Sequence, residues 1–171
     1  MLLDVAIPKF AAQAIRKAYD IDWHPLHIVP YPASSIPLVM RPAGLDRAVG
    51  VVTAEFLKEP ADPAWQDDSE VRDYLAFMKA YQPGVDPNDW FNVIGYYMGS
   101  AFVTVLQSCG AEVTREWLLD RVSHLDRVAV PMLIPGITLN TTPTDYHAIK
   151  QMRLQRFDGT RWVALGGLTS E

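Results

Sequence analysis

Residues 151–165 read QMRLQRFDGTRWVAL and predict a β-hairpin near the end of the chain. Polar residues at positions 151, 153 and 155 alternate with Met152 and Leu154, which is the period of a half-exposed strand. Asp158-Gly159 is a strong signal for a two-residue turn. Residues 161–165 then form the returning strand, so the chain is predicted to end in β structure.

The first third of the chain predicts strand–helix units. Residues 2–7 and 26–29 are short apolar runs, and residues 50–54 are rich in Val and Thr, so each is expected to be a strand. Pro8 suits the first position of a helix, and apolar residues recur at helical spacing up to Tyr19. A short helix around residues 36–40 is limited by Pro37 and Pro42.

The middle of the chain predicts helices only. Residues 58–68 are acidic and proline-containing, as in a connection between two structural parts. Ser69 is the expected N-cap of a first helix, and Thr114 that of a third. Gly110 is expected to close the second helix in the left-handed conformation. The apolar stripes of the three helices are Val71, Tyr74, Leu75 and Met78; Ile94, Met98, Ala101, Phe102, Val105 and Leu106; and Leu118, Leu119, Val122 and Leu125.

This order of elements indicates an incomplete α/β fold. A closed doubly wound sheet would keep alternating strands with helices. Three consecutive helices need a sheet to cover, and this sequence supplies none for them. The aromatic group Trp90, Phe91, Tyr96 and Tyr97 is therefore expected to lie in the helical core, or in part to face a missing sheet or an oligomer partner.

Composition excludes several classes of protein. Hydrophobic residues make up 49% and charged residues 20% of the 171 residues, which is a globular balance and argues against general disorder. A net charge of −5 gives no basic footprint for nucleic acid. No apolar run approaches the roughly 20 residues of a membrane-spanning helix. Cys109 cannot form an intrachain disulfide and is expected to be buried as a small hydrophobe.

Several stretches, taken in order, carry a resemblance to a known family. In the first half they are Pro8 to Lys17, Pro42 to Leu45, Gly50 to Ala54, Lys58 to Trp65 and Tyr74 to Met78. In the second half they are Leu133 to Ile137, Asn140-Thr141, Pro143 to Tyr146, Gln151 to Leu154, Arg156 to Gly159 and Arg161-Trp162. Over nearly the whole chain they resemble the type I periplasmic binding proteins of branched-chain amino acid ABC transporters.

The resemblance implies a two-lobed α/β fold of which this chain is the C-terminal half. Residues 1–56 would be a second-lobe βα segment, residues 57–129 a first-lobe helical segment, and residues 130–171 a second-lobe β segment. Thr53 to Glu55 and Val130-Pro131 would run side by side as hinge crossings outside any helix. The family's N-terminal half, with most of the first-lobe sheet, would be missing.

The resemblance also implies where a solute would bind. Family members clamp an amino acid between the lobes, and the second lobe contributes the loops after two strands. Here those loops carry Ala6 and Ile7, then Pro30 and Tyr31. Leucine-type receptors have an aromatic residue at the first position and an acid at the second, so Ala6 and Pro30 depart from the pattern. Tyr31 is expected either to form a pocket wall or to pack as a loop aromatic on its own lobe.

Other polar residues favour no catalytic or metal site. His24 and His27 lack further ligands at suitable spacing, and are expected to be solvated or at a strand edge. Asp145 and His147 lie in a predicted turn without a recognisable nucleophile. Glu55 and Glu59 are expected to serve the hinge or to be solvated. The sequence therefore predicts no enzyme, no cofactor and no metal.

Two functional hypotheses remain from the sequence. One is the receptor of an amino-acid-type ABC importer, binding a small-molecule solute and permease subunits in its full-length form. The alternative is a truncated remnant that only supports structure or oligomers. In either case a homodimer through the helical segment is expected. The resemblance implies a periplasmic location, but Met1 to Asp4 shows no feature of a signal peptide, so the chain as it stands is expected to stay in the cytoplasm.

Overall fold

The computed structural model describes residues 1–110 and 113–169 and contains one mixed five-stranded sheet. The strands are β1 (Leu2–Leu3), β2 (His27–Val29), β3 (Val52–Glu55), β4 (Arg153–Phe157) and β5 (Trp162–Leu168). They lie in chain order across the sheet, with β1, β2 and β3 parallel and β4 and β5 antiparallel to their neighbours. The predicted strands and hairpin are confirmed, although β1 is shorter than expected.

The helices divide into two groups. The first group is α1 (Pro8–Asp20) and α2 (Arg41–Ala43), which continues a π-helix at Ile36–Met40. The second group is α3 (Ser69–Tyr81), α4 (Trp90–Ser108) and α5 (Arg115–Val122). Short 3₁₀-helices lie at Tyr31–Ala33 and Pro63–Trp65. None of the helices in the described ranges is long and apolar enough to cross a membrane.

The ends of the second helical group follow local side-chain chemistry. Asp68, and not Ser69, is the N-cap of α3, because its carboxylate accepts hydrogen bonds from the N–H groups of Glu70 and Val71 at 3.0 and 3.2 Å. Thr114 caps α5 as predicted, accepting from the Trp117 N–H at 3.2 Å. Gly110 has the predicted left-handed conformation after α4, with φ of 72°.

The hairpin forms where predicted, but four residues, 158–161, separate its strands instead of two, and the faces of β4 are reversed. Asp158 accepts hydrogen bonds from two turn N–H groups at 2.8 and 2.9 Å, and Gly159 has φ of 103°. Gln155, expected on the polar outer face, is buried, and Leu154 is exposed. The reason is the register of β3 with β4, which pairs Gln155 with the buried Thr53 in a polar interior.

Two hydrophobic cores divide the molecule. The first packs α1, the π-helix and α2 on the sheet, with Ile15, Met40 and Phe157 at its centre. The second packs α3 and α4 on residues 130–139, with Tyr74, Val93 and Ile134 at its centre. No residue of α5 is fully buried, so its predicted apolar stripe packs only in part.

Two stretches, residues 56–58 and 132–134, join the cores; together they are called the crossing. The Lys58 N–H donates to the Met132 carbonyl at 2.8 Å, and the Ile134 N–H donates to the Phe56 carbonyl at 2.9 Å. Neither predicted hinge stretch, Thr53 to Glu55 or Val130-Pro131, lies in a helix. The side-by-side pairing lies further along each stretch than expected, because β3 still pairs with β4 through Glu55.

The packing of the crossing predicts a contrast between two leucines. Leu57 is 2% exposed in the second core, and Leu119 on α5 is 53% exposed. Leu57→Ala is expected to lower the free energy of unfolding by about 2–5 kcal/mol, because it removes buried methyl groups and leaves a cavity. Leu119→Ala should change it by less than about 0.5 kcal/mol. Urea unfolding followed by circular dichroism measures both, and equal losses would contradict the crossing as a buried junction.

Candidate functional site

A groove lies between the first helical group and the start of α4, and is called the site groove. It has a volume of about 580 Å³, within the range of small-molecule sites. The loop after β1 and α1 form one wall, the π-helix and Pro42 the floor, and the first residues of α4 the opposite wall. Its lining residues are Ile7, Pro8, Lys9, Ala12, Gln13, Arg16, Leu38, Pro42, Asp89 and Phe91.

The N-terminus of α1 opens into the site groove. Ile7 is the N-cap residue and has no hydrogen-bonding side chain, so no side chain caps the first turn. Lys9 lies in that turn and also lines the groove. The positive end of the helix dipole and the Lys9 ammonium therefore act on the same space, which favours a carboxylate there.

The two walls of the site groove carry opposite charges. Lys9 and Arg16 project from α1, and the Arg16 guanidinium donates a hydrogen bond to the Pro42 carbonyl. Asp89 stands on the opposite wall, where it caps α4 by accepting from the Phe91 N–H at 2.9 Å. Between them Ile7 and Phe91 supply apolar surface. A groove of this kind suits a small zwitterion with an apolar body.

The structure brings the four sequence-predicted site residues to one edge of the sheet. Because β1 and β2 are adjacent and parallel, the loops with Ala6 and Ile7 and with Pro30 and Tyr31 follow neighbouring strand ends. Ile7 is exposed and lines the site groove, while Ala6 packs on the first core. Pro30 begins the 3₁₀-helix, its carbonyl accepting from the Ala33 N–H at 2.8 Å. Neither Pro30 nor Tyr31 is among the groove-lining residues.

Tyr31 packs instead in an aromatic cluster that spans the two helical groups. Its ring lies 5.2 Å from Phe56 in an edge-to-face contact and 5.3 Å from Trp90. Phe56 in turn meets Tyr97 at 5.8 Å. These centroid distances lie in the favourable range for aromatic pairs. Tyr31 therefore packs both on Phe56, in its own predicted segment, and on Trp90 of the helical segment.

The aromatic group at the start of α4 is only partly core. Trp90 and Tyr97 are buried, and Tyr96 packs on Tyr74 and Phe77 with centroids 5.1 Å apart in each pair. Phe91 is exposed at the site groove. The group thus contributes both to the helical core and to the groove.

Sequence reasoning missed most of the groove. Lys9, Gln13 and Arg16 recur at i, i+4 and i+7, so a polar stripe on α1 was readable from the sequence. Asp89 and Phe91 carried no such signal, because their approach to α1 depends on how the second core packs. The loops after the strands form only a small part of the groove lining.

A second polar feature, called the acid cavity, lies between the sheet and the crossing. Its lining residues are Ser34, Thr53, Glu55, Leu57, Glu59, Asp62, Trp65, Gln155 and Trp162. The cavity has a volume of about 10 Å³, close to what one water molecule needs. Glu55 and Glu59, expected at a hinge or in solvent, are both buried here, so the expectation of solvation was wrong.

Glu55 is held by three donors and connects the acid cavity to the site loop. One carboxylate oxygen accepts from the N–H groups of Phe56 and Leu57 at 2.9 and 3.1 Å, and the other accepts from the Ser34 hydroxyl at 2.9 Å. The Ser34 oxygen also lies 2.8 Å from the Tyr31 carbonyl. Ser34 thereby lies between the Glu55 carboxyl group and the loop that carries Tyr31.

Burial raises the pKa of both glutamates. The pKa of Glu55 is raised to about 7 by burial, against the lowering effect of its hydrogen bonds. The pKa of Glu59 lies well above its ordinary value because of burial and of repulsion from Glu55 and Asp62. Burial also raises the pKa of Asp62, although the Ala64 and Trp162 N–H groups donate to it at 2.8 and 2.9 Å.

An ion-pair cluster attaches α3 to the crossing. The buried Lys58 ammonium lies 2.9 Å from Asp68 and 2.8 Å from Glu70, both at the start of α3. Glu70 also accepts from the Met132 N–H at 3.0 Å. Met132 is buried with φ of 71°, a strained value for a residue other than glycine. The surrounding contacts thus hold the crossing in one conformation.

The remaining polar candidates form structural contacts. His27 is buried and lies 3.3 Å from the buried Asp4, so it is not the solvated or strand-edge residue that was expected. His24 bonds Asp22 on the surface at 2.8 Å. Asp145 and His147 lie in an exposed turn. Two backbone hydrogen bonds between Thr142 and Asp145 close this turn. In residues 1–110 and 113–169 no three acidic, histidine or cysteine residues cluster with metal-binding geometry.

Comparison with solved structures identifies the architecture. The chain resembles a branched-chain amino acid ABC transporter protein from Thermus thermophilus with bound valine, with a TM-score of 0.79 and 14% identity, over 100% of this chain and 46% of that one. It resembles a substrate-binding periplasmic protein from Ralstonia solanacearum, with a TM-score of 0.74 and 16% identity, over 96% and 45%. It also resembles a fatty acid ABC transporter substrate-binding protein from Thermomonospora curvata, with a TM-score of 0.68 and 22% identity, over 99% and 43%.

These similarities concern the fold. No protein-family model and no curated protein sequence matches the chain. The chain spans less than half of the length of each of the three neighbours. The chain therefore has a partial type I periplasmic-binding-protein fold, as its sequence resemblance implied.

Proposed function

We propose that the chain is the C-terminal part of a solute-binding receptor for an amino-acid-type ABC importer, and not an enzyme. The observation that carries this proposal is the site groove, which joins an uncapped helix N-terminus and Lys9 on one wall to Asp89 on the other. The structural neighbours support it, because they include receptors for amino acids and for a fatty acid. The receptor would lie in the periplasm, and its partners would be the permease subunits of the importer.

The two cores support the assignment of lobes. The core built on the sheet corresponds to a second lobe formed by residues 1–56 and 130–171. The helices of residues 57–129 correspond to one side of a first lobe, although their core also includes residues 130–139. The crossing would then be the hinge, and the site groove would lie in the cleft that closes on the solute.

The ligand class follows from the walls of the site groove. A carboxylate would lie at the start of α1 near Lys9, an ammonium near Asp89, and an aliphatic side chain against Ile7 and Phe91. Binding of this kind involves no chemical reaction and requires no cofactor.

The chain alone is expected to bind leucine, isoleucine and valine weakly, with dissociation constants above roughly 10 µM. One lobe with part of another cannot desolvate the ligand from both sides. In NMR titrations the amides of Lys9 and Phe91 should shift. Lys9→Glu should weaken binding by about tenfold or more, equivalent to the loss of about 1.4 kcal/mol from one charged contact.

Lys79→Glu is the matched control, because Lys79 is exposed on α3 away from the site groove and the charge change is the same. It should leave the titration unchanged. Shifts that avoid both walls of the groove, or equal effects of the two substitutions, would overturn the site. Calorimetry that gives a dissociation constant below about 10 µM would overturn the weak binding expected of a half-site.

We further propose that a second copy of the chain covers the helical segment. Met98 and Phe102 are exposed on α4, beside a groove of about 720 Å³ between α3 and α4. Gly95 and Gly99 line that groove, and a Cβ at either would meet nothing within 4 Å, so another helix can approach the backbone closely. A two-fold contact of α4 with its own copy buries this surface in both chains.

Phe102→Glu is expected to convert a dimer into a monomer, because it places a charge in the buried apolar contact. Phe10→Glu on α1 is the matched control, since Phe10 is 54% exposed and Phe102 52% exposed. Light scattering should give twice the chain mass of 19.2 kDa for the wild type and the control. A wild-type monomer at micromolar concentration would contradict the proposal.

A further inference from the structure

Two buried glutamates, Glu55 and Glu59, line the acid cavity and differ in their hydrogen bonding. Glu55 accepts hydrogen bonds from the Phe56 and Leu57 N–H groups and from the Ser34 hydroxyl. One oxygen of Glu59 is buried without any hydrogen-bond partner. The hydroxyl of Thr53, which is 0% exposed and lines the same cavity, is also without a partner.

The difference in hydrogen bonding indicates which of the two glutamates takes up a proton first. Two negative charges next to each other in a buried space are strongly unfavourable, so one of the pair takes up a proton. Glu55 already has its donors, whereas a protonated Glu59 needs fewer and can donate one hydrogen bond itself. Thr53, Glu55, Asp62 and Gln155 also line the cavity and carry oxygen acceptors.

The charged groups around the cavity do not neutralise the pair. Arg41 acts favourably on Glu59, but Asp62 adds a further negative charge. Arg161 favours and Asp158 disfavours the ionised form of Asp62. Arg153 is partly buried beside Trp65, and burial lowers its pKa. The surroundings thus leave the pair with excess negative charge whenever both acids ionise.

The position of the pair connects protonation to backbone structure. Glu55 ends β3 and accepts from the first two N–H groups of the crossing, and Ser34 connects it to the Tyr31 loop. We propose that Glu55 and Glu59 form a proton-binding pair that holds the crossing packed at acidic pH and loosens it as the pH rises. The inference stands on the chain itself and does not require solute binding.

The direction of the pH effect follows from linkage. Both glutamates have a higher pKa in the folded chain than the ordinary 4.5, with that of Glu55 at about 7. The folded state therefore binds more protons than the unfolded state above pH 4.5, and stability falls as the pH rises in that window. The loss is complete only once the pH exceeds the folded pKa values of both groups.

Two measurements on the whole chain test the proposal. Carbon-13 NMR of the glutamate carboxyl groups should give titration midpoints raised above 4.5 for Glu55 and Glu59, with Glu55 near 7. Hydrogen exchange, corrected for its intrinsic pH dependence, should show protection of the Lys58 and Ile134 amides falling at least about tenfold between pH 5 and pH 8. These amides donate the two hydrogen bonds of the crossing.

Glu59→Gln should reduce the pH dependence of protection, because the amide cannot ionise and only the contribution of Glu55 remains. Glu116→Gln on the exposed first turn of α5 is the control and should behave as the wild type. Titration midpoints near 4.5 for both Glu55 and Glu59 would overturn the proposal. So would hydrogen-exchange protection of the Lys58 and Ile134 amides that does not change with pH in the wild type. An unchanged pH dependence in Glu59→Gln would do the same. If Glu59→Gln does not fold, the wild-type midpoints decide the question.

Discussion

Two backbone hydrogen bonds across the crossing, from Lys58 to Met132 and from Ile134 to Phe56, are the constraint on which the rest of the structure depends. The chain leaves the sheet at one of these stretches and returns at the other, so every contact between the two cores is positioned by them. Met132 accepts a strained φ here because Glu70 and Lys58 hold both of its backbone polar groups. The ion pair of Lys58 with Asp68 then fixes the direction of α3.

Local signals explain which parts of the fold the sequence could predict. Proline at the start of α1, the Asp158-Gly159 turn, the Thr114 cap and the left-handed Gly110 each depend on a few neighbouring residues, and each was found. The N-cap of α3 was misplaced by one residue, because Asp68 and Ser69 are both good caps and only the backbone decides between them. The inward orientation of Gln155 was not predictable, since it depends on a polar interior built by distant residues.

The residues of the site groove also fall into two groups, those with a local sequence signal and those that depend on distant packing. Ile7 was predicted from the family resemblance, and Lys9, Gln13 and Arg16 carry a helical spacing. Asp89 reaches the groove only through the packing of the second core, which no periodicity encodes. The aromatic contact of Tyr31 with Trp90 is of the same kind, because it joins residues whose approach depends on the crossing.

The acid cavity suggests why a junction of this kind keeps polar groups in its interior. An apolar cluster in place of Glu55 and Glu59 would pack the crossing permanently, and replacing buried charges in this way is often neutral or stabilising. The glutamates instead leave the packing dependent on a proton, and Ser34 passes that dependence to the loop of Tyr31. If the chain is part of the proposed receptor, a packing energy at the crossing that is small and adjustable would assist the opening and closing of its lobes. Burial of a shared proton supplies such an energy without altering either core.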